Sequence, residues 1–431
     1  MQQAKKITGE IVIPQKVIDS VQGKVKDISS FKKTVEENAD KNTTELIQII
    51  LVAAIYLNSS DIHVEPEEEN AKLRLRIDGL LQDVLDFEPK LYKSLLSRIK
   101  LLSKLKLNVS DRPQDGRFSI LLEKTPIDIR TSNLPAEYGE SVVMRILNPK
   151  NLIDTSKLGL RPDLEKEFNK QIERPNGMIL LTGPTGSGKT TTLYAILKKL
   201  NKPEVKIITI EDPIEYHLEG ISQTQVDKKK GYTFADGLRS IMRQDPDVVL
   251  VGEIRDLETA QIALQASMTG HLVLSTLHTN DAAGTIARLQ ALGEKPINIS
   301  PAINMAIAQR LVRKVCPKCV KYEKPNPEEL KEINRMLKDI PKEVAIPKID
   351  KIAKPQGCKA CNDTGYKGRI AIFEFFLVDD EMEKFILTGP SIVAMRDLAR
   401  KKGMLLMRQD GFIKVVEGRT TIEEINRVTA K

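Results

Sequence analysis

The sequence predicts an α/β protein built on a doubly wound, mostly parallel sheet, with a smaller α/β domain before it and a cysteine-bearing region after it. Three observations carry this. Short apolar runs recur at residues 178–181, 206–210, 248–251 and 271–275, with helical segments between them. That is the rhythm of βαβ units. Earlier in the chain, Leu73-Arg-Leu-Arg-Ile77 and Ile127-Asp-Ile-Arg-Thr131 alternate in character, as half-buried strands do. The first of the four central runs opens into Gly183-Pro-Thr-Gly-Ser-Gly-Lys189-Thr190, a glycine-rich turn between a strand and a helix.

Bulk properties bound the answer. A chain of 431 residues holds two or three domains. Apolar residues make up 41%, aromatics only 4%, and there is no Trp, so the cores are aliphatic. The net charge of +8 comes from 67 basic and 59 acidic residues, a mixed surface. Such an excess suits nucleic acid, an anionic membrane surface or an acidic partner equally, and selects none. The first six residues are polar with no apolar core behind them, so no signal peptide is read. The longest apolar stretch, residues 46–57, is interrupted by Gln48. It is too short to span a bilayer and reads as a buried helix, which predicts a soluble chain.

Taken in order, residues 1–42 are polar and lysine-rich with one alternating run at 7–13, and read as an arm or linker on which no fold is imposed. Residues 43–150 form the smaller α/β domain. Thr43 or Thr44 caps a helix whose apolar face is Leu46, Ile49, Ile50, Ala53 and Leu57. The two alternating strands follow, with helical spacing at 91–107 between them. Asn148-Pro149 leads into a linker over 151–160. The parallel sheet occupies 161–315, a cysteine module 316–375, and short helical patterns 376–431.

The glycine turn has a specific chemistry. Its glycines let backbone N–H groups wrap phosphates, and the helix that follows adds partial positive charge. Gly183, Pro184, Thr185, Gly186, Ser187, Gly188, Lys189, Thr190 and Thr191 are therefore expected to bind a nucleotide. Lys189 reaches the β- and γ-phosphates, and Thr190 holds Mg²⁺ through its hydroxyl. ATP as the nucleotide implies the cytoplasm.

In open α/β sheets, ligands bind at the carboxyl ends of the strands. The second central run ends in Glu211-Asp-Pro-Ile-Glu215, the third in Gly252-Glu253, and the fourth leads to His278. The third resembles a Walker B element with Gly252 where Asp is usual, so more of the Mg²⁺ coordination falls on Thr190, water and Glu253. Phosphoryl transfer needs a positioned water and a proton acceptor. Glu253 and Glu211 are both candidates. His278 is a candidate phosphate sensor, and His271 at the start of the same run is a second. His63 reads as structural.

Cys316-Pro-Lys-Cys319 and Cys358-Lys-Ala-Cys361 are two C-x-x-C knuckles. One would suggest redox chemistry, whereas two suggest a tetrahedral structural Zn²⁺.

These residues carry a family resemblance. Ser60-Asp-Ile-His-Val-Glu-Pro66, Gln114-Asp-Gly-Arg117, the phosphate loop and Ile210-Glu-Asp-Pro-Ile-Glu215 take part in it. So do Arg239-Ser-Ile-Met-Arg-Gln-Asp-Pro-Asp247, Val251-Gly-Glu-Ile-Arg-Asp256 and Thr269-Gly-His-Leu-Val-Leu-Ser-Thr-Leu-His-Thr279. Over residues 43–431 the chain resembles the hexameric ATPases of type II secretion and type IV pilus assembly. The resemblance implies a PAS-like N-terminal domain, a RecA-like domain with a zinc-binding insertion and C-terminal helices, and a homohexameric ring with ATP between the two domains. It implies that Arg117 and Arg130, and Arg239 and Arg243, reach the phosphates. The tetracysteine module is typical of the assembly and export motors. Implied partners are an inner-membrane platform protein and a docking protein on its cytoplasmic side, which would make the chain peripheral at that membrane. Relatives carry a further N-terminal docking domain, whereas only residues 1–42 precede the match here. Either the docking mode differs or the chain is truncated. The competing class is a RecA-like nucleic-acid motor. No basic-aromatic stripe that would stack bases is present, so no nucleic-acid partner is expected.

Overall fold

The computed structural model describes residues 10–430. They divide into two compact units. The first holds the residues up to Asn151 together with 316–319 and 355–367, and the second holds the rest.

The first unit runs β1 (Glu10–Val12), α1 (Gln15–Val21), α2 (Ile28–Glu36), α3 (Thr43–Tyr56), β2 (Asp61–Pro66), β3 (Ala71–Ile77) and β4 (Leu80–Phe87). It continues with α4 (Pro89–Leu102), β5 (Gln114–Leu122), β6 (Thr125–Ala136) and β7 (Gly139–Leu147). The sheet order is β1-β5-β6-β7-β2-β3-β4. Strand β3 shows the alternation expected of it: Ala71, Leu73, Leu75 and Ile77 are buried, and Lys72, Arg74 and Arg76 point to the other face.

The stretch read as an arm is instead folded. Only part of the run at 7–13 falls within the described residues, and there β1 pairs in parallel with β5. Val17, Ile18 and Val21 of α1, and Phe31 and Val35 of α2, join the core of the unit. The reason lies in α3. Every residue from Leu46 to Ile55 is buried, Gln48 included. A helix apolar all round needs cover on more than one side. The sheet cannot supply it alone, and α1 and α2 do. The cap of α3 is Asn42, whose side chain accepts from Glu45 N, rather than either threonine.

The second unit runs α5 (Pro162–Ile172), β8 (Gly177–Thr182), α6 (Lys189–Leu200), β9 (Ile207–Glu211), β10 (Ser222–Gln225), α7 (Phe234–Met242) and β11 (Val248–Val251). Then come α8 (Leu257–Met268), β12 (Leu272–Leu277), α9 (Gly284–Ala291), α10 (Pro296–Ile299) and β13 (Ile303–Val315). Next are β14 (Lys321–Glu323), α11 (Pro327–Leu337), β15 (Ile352–Lys354) and β16 (Tyr366–Leu377). The chain closes with α12 (Asp380–Leu387), α13 (Ile392–Lys401), α14 (Met407–Val416) and α15 (Ile422–Thr429).

Its main sheet has the order β10-β9-β11-β12-β8-β13-β16. The strands from β10 to β13 pair in parallel. All residues of β8, β9, β11 and β12 are buried, as a sheet covered on both faces requires. One covering layer packs around Phe234, Leu238 and Leu264. The other packs around Phe168, Leu193 and Ile196. The sheet extends past the boundary expected at residue 315, because β16 supplies its seventh strand. The segment after Cys319 is structured. It forms the β14–β15 ribbon and α11, whose Asn326–Glu329 capping box fixes its start and whose Ile333 is fully buried.

Candidate functional site

The phosphate loop joins β8 to α6. Gly183, Gly186 and Gly188 have φ of 147°, 79° and 88°, values that disfavour any residue with a Cβ. A Cβ on Gly183 would lie 2.6 Å from Gln309 O, and one on Gly188 2.8 Å from Gln309 Nε2. The loop thus rests directly on β13. Lys189 Nζ donates to Gly183 O (2.8 Å) and Pro184 O (3.1 Å). Burial, then the nearby Arg310 charge, lower the basicity of Lys189, with Glu253 opposing them. Ser187 Oγ is buried with no hydrogen-bond partner among the described residues. Thr190 is exposed in the first turn of α6. A glycine loop at a helix N-terminus, the Lys189 ammonium and the exposed Thr190 hydroxyl suit a triphosphate with Mg²⁺.

The strand ends come together as the parallel register demands. Val251 lies opposite Ile210 and Ser275, and Leu277 opposite Thr182. Side chains lock these ends. Thr182 Oγ1 receives Thr279 N at 2.7 Å, Thr276 donates to Gly252 O at 2.8 Å, and Ser275 to Val251 O at 2.7 Å. A Cβ at residue 252 would stand 3.3 Å from Ile210 O, so the glycine at this Walker B position lets β9 and β11 close up.

Glu253 and His278 are neighbours, with His278 Nε2 3.8 Å from Glu253 Oε2. The other oxygen, Oε1, pairs with Arg255. This hydrogen bond is the main cause of the raised basicity of Arg255. Glu211 differs. It is 4% exposed. Its Oε2 accepts from Tyr194 OH, and its Oε1 from Thr209 Oγ1 (2.7 Å) and Gln223 Nε2 (3.2 Å). Burial first, and then the Glu211 charge, push the Tyr194 hydroxyl far up. The hydroxyl therefore stays protonated and keeps donating.

Two residues of the site carry no motif and escaped the sequence. Gln309 is 2% exposed under the loop. It donates to Ser187 O (2.9 Å) and accepts from Thr192 Oγ1 (2.8 Å). Arg310 is the other. Only the register of β13 against β8, with Ala308 opposite Thr182, brings the two residues to the loop.

One expected residue, His271, is not gathered there. His271 precedes β12, whose Leu272 pairs with Gly177 at the start of β8. It lies at the opposite end of the sheet from the phosphate loop, ~20 Å away at a strand's rise per residue. Its Nδ1 sits 3.0 Å from Ala266 O, a structural bond. Arg239 on α7 pairs with Glu258 and Asp236, and Arg243 caps α7 through Arg239 O at 3.2 Å.

Arg117 and Arg130 belong to the first unit. Arg117 lies opposite Arg130, Arg130 opposite Arg145, and Arg145 opposite Asp61. Directly opposed residues share a face, so three arginines line up and end on a carboxylate. Arg145 Nε meets Asp61 Oδ1 at 2.9 Å. His63, on the same strand, has its basicity lowered by burial and carries a buried Nε2 with no partner among the described residues.

The four cysteines are unbridged, and their sulfurs all lie within 4.8 Å of one another. Individual separations are 4.0 Å for Cys316–Cys358 and 3.8 Å for both Cys319–Cys361 and Cys358–Cys361. A tetrahedron of sulfurs about 2.3 Å from a central ion has edges of about 3.8 Å. Burial raises the Cys361 thiol, but N–H donation from Cys358 and Gly365, together with the neighbouring Cys358 and Cys319 thiols, more than offsets it. The donor set fits a thiolate-bound metal ion.

The family model described as type II/IV secretion system protein matches residues 36–427. The chain belongs to this family. Type II secretion system protein E of Dickeya dadantii is 46% identical over 391 residues, 90% of this chain and 76% of that protein. The type IV pilus assembly ATPase PilB of Thermus thermophilus is 42% identical over 382 residues, 88% of this chain and 42% of its own length. Among solved structures, the pilus retraction motor PilT with bound ADP superposes with a TM-score of 0.60 at 26% identity, over 89% of this chain and 96% of that one. The Legionella pneumophila ATPase DotB shares the fold at a TM-score of 0.65 and 22% identity, over 89% of this chain and 95% of that one. The doubly wound secretion-ATPase architecture expected from the sequence is therefore present in this family member.

Proposed function

We propose that this chain hydrolyses ATP to drive type IV pilus assembly or type II protein secretion. The observation that carries the reading is one edge of a parallel sheet where a phosphate loop, a half-buried carboxylate and a histidine converge, in a chain whose relatives bear those names.

The loop N–H groups and Lys189 hold the β- and γ-phosphates. Mg²⁺ on Thr190 supplies charge neutralisation for the triphosphate. Glu253 is the base: it takes a proton from a water whose oxygen attacks the γ-phosphorus. The bond from that phosphorus to the β,γ-bridging oxygen breaks, leaving ADP and phosphate. Glu211 is a poor base because three protein donors occupy its oxygens. Its role is to fix the segment after β9. His278 orients the Glu253 carboxylate and senses the γ-phosphate. Arg117, Arg130, Arg239 and Arg243 add positive charge to the phosphates in a homohexamer, as arginine geometry suits. The four cysteines hold a structural Zn²⁺.

No helix among the described residues is long and apolar enough to cross a membrane. We place the motor at the cytoplasmic face of the inner membrane, held there by a platform protein and a docking protein.

The test is a source strain deleted for this gene and rescued with the intact chain or a Lys189→Ala copy. Surface filaments and secreted proteins are both scored. Loss of either, restored only by the intact chain, supports the proposal and chooses between pilus and secretion. Both unchanged in the deletion contradicts it.

A further inference from the structure

Arg310 follows Gln309 where β13 passes the end of β8. Its Nη1 donates to Gln309 O (3.1 Å) and its Nη2 to Asn280 O (3.3 Å). A Cβ on Gly183 would stand 3.0 Å from Nη1, so the guanidinium lies against the first glycine of the phosphate loop. Lys189 holds that same glycine through its carbonyl. Two cations flank one residue of the loop.

Nothing nearby neutralises the second cation directly. Among the described residues Arg310 makes no ion pair, and Glu374 and Asp281 act on it only at longer range. Both acids are engaged elsewhere. Glu374 accepts from Ala282 N (2.9 Å) and Met407 N (3.2 Å), and Asp281 accepts from Gly284 N (2.8 Å) and pairs with Arg396. Two of the five guanidinium N–H donors go to neutral carbonyls, which leaves three. A half-buried guanidinium beside a lysine, without its own carboxylate, is costly. An anionic ligand with several oxygens offsets that cost.

We infer that Arg310 is a second phosphate-binding cation of the nucleotide site, contacting the terminal phosphates of ATP beside Lys189. The inference rests on the nucleotide reading given above and adds a binding residue to it. Its planar fork takes two phosphate oxygens at once, where Lys189 offers a point charge. A link follows from the same contacts. Asn280 and Asp281 lie in one turn, and Asp281 pairs with Arg396 of α13, so phosphate held by Arg310 is coupled to the C-terminal helices.

The experiment measures equilibrium binding of a non-hydrolysable ATP analogue and of AMP to the full chain with Mg²⁺. The variants are Arg310→Gln, Arg310→Lys and Lys189→Ala. Gln keeps a donor for Asn280 O and removes the charge. Arg310→Gln should weaken the analogue about tenfold or more, leave AMP within about twofold, and be partly rescued by Arg310→Lys. Analogue binding at the wild-type level in Arg310→Gln, alongside loss in Lys189→Ala, overturns this inference and leaves the nucleotide site standing. Equal weakening of analogue and AMP also overturns it, because that marks a structural strut. Failure of the wild-type chain to bind the analogue overturns the nucleotide reading itself.

Discussion

Glu253 Oε2 and His278 Nε2 lie 3.8 Å apart, and they come from the ends of adjacent strands. This pairing leaves Glu253 reachable from the loop while Arg255 steadies its other oxygen. Glu253→Gln keeps the size and loses the basicity. It should lower kcat by about 10² to 10⁴ with nucleotide affinity little changed. Steady-state turnover alongside equilibrium ATP binding checks this.

Glu211 gives the contrasting prediction. Its amide analogue keeps one oxygen to accept from Thr209 and Gln223, and its NH2 can donate to the Tyr194 hydroxyl oxygen, so Glu211→Gln should retain far more turnover than Glu253→Gln. Tyr194→Phe removes a donor from a buried carboxylate and should destabilise the second unit by about 1–3 kcal/mol. Denaturant unfolding of the two variants, with turnover in parallel, separates an anchor from a base.

Gln309 supports the phosphate loop from beneath. Gln309→Ala leaves Ser187 O and Thr192 Oγ1 without their partner. The expected result is a raised KM for ATP and a loss of about 1–3 kcal/mol of stability. A change in kcat alone, with KM untouched, would argue against a loop-supporting role.

Acid should uncouple α15 from β13. Burial raises the Glu424 carboxyl, but Arg427, Arg313 and the Arg313 N–H together hold it at about 2. Its folded pKa is thus below the unfolded value of about 4.3. The stability it contributes is complete above that unfolded value and is lost as pH falls from there toward 2. Glu424→Gln should be less stable than wild type at pH 7, and the gap should narrow as pH falls below 4. Denaturant midpoints at pH 7, 4 and 3 report it.

The cysteine cluster should bind one metal ion per chain. Replacing Cys361 with Ser removes the ligand that two backbone N–H groups support. The variant should lose the metal and melt at a lower temperature, since ligand binding free energy is folding free energy. Elemental analysis and thermal unfolding test this together.

That Lys189, Glu253 and His278 share one edge of the sheet was legible because each lies just past the end of a parallel strand. Lys189, Glu253 and His278 are each announced by a motif after an apolar run. Gln309 and Arg310 were not, since only the pairing of β13 beside β8 brings them to the loop, and no local pattern encodes that register. His271 misled for the same reason: it shares a motif with His278, but a strand's length separates them. The N-terminal helices were hidden by their polar outer faces, Gln15, Lys16 and Asp19 on α1 and Ser29, Lys32, Lys33 and Glu36 on α2. The signal that could have revealed them sits in α3, whose all-round apolar surface demanded a second covering layer.

The most direct test is phosphate release from ATP by the purified full chain with Mg²⁺, comparing wild type with Lys189→Ala. Saturable release by the wild type, abolished in the variant, is the predicted result. Equal release by both, or none by a folded wild-type protein that binds ATP, would contradict the assignment of hydrolysis to this site.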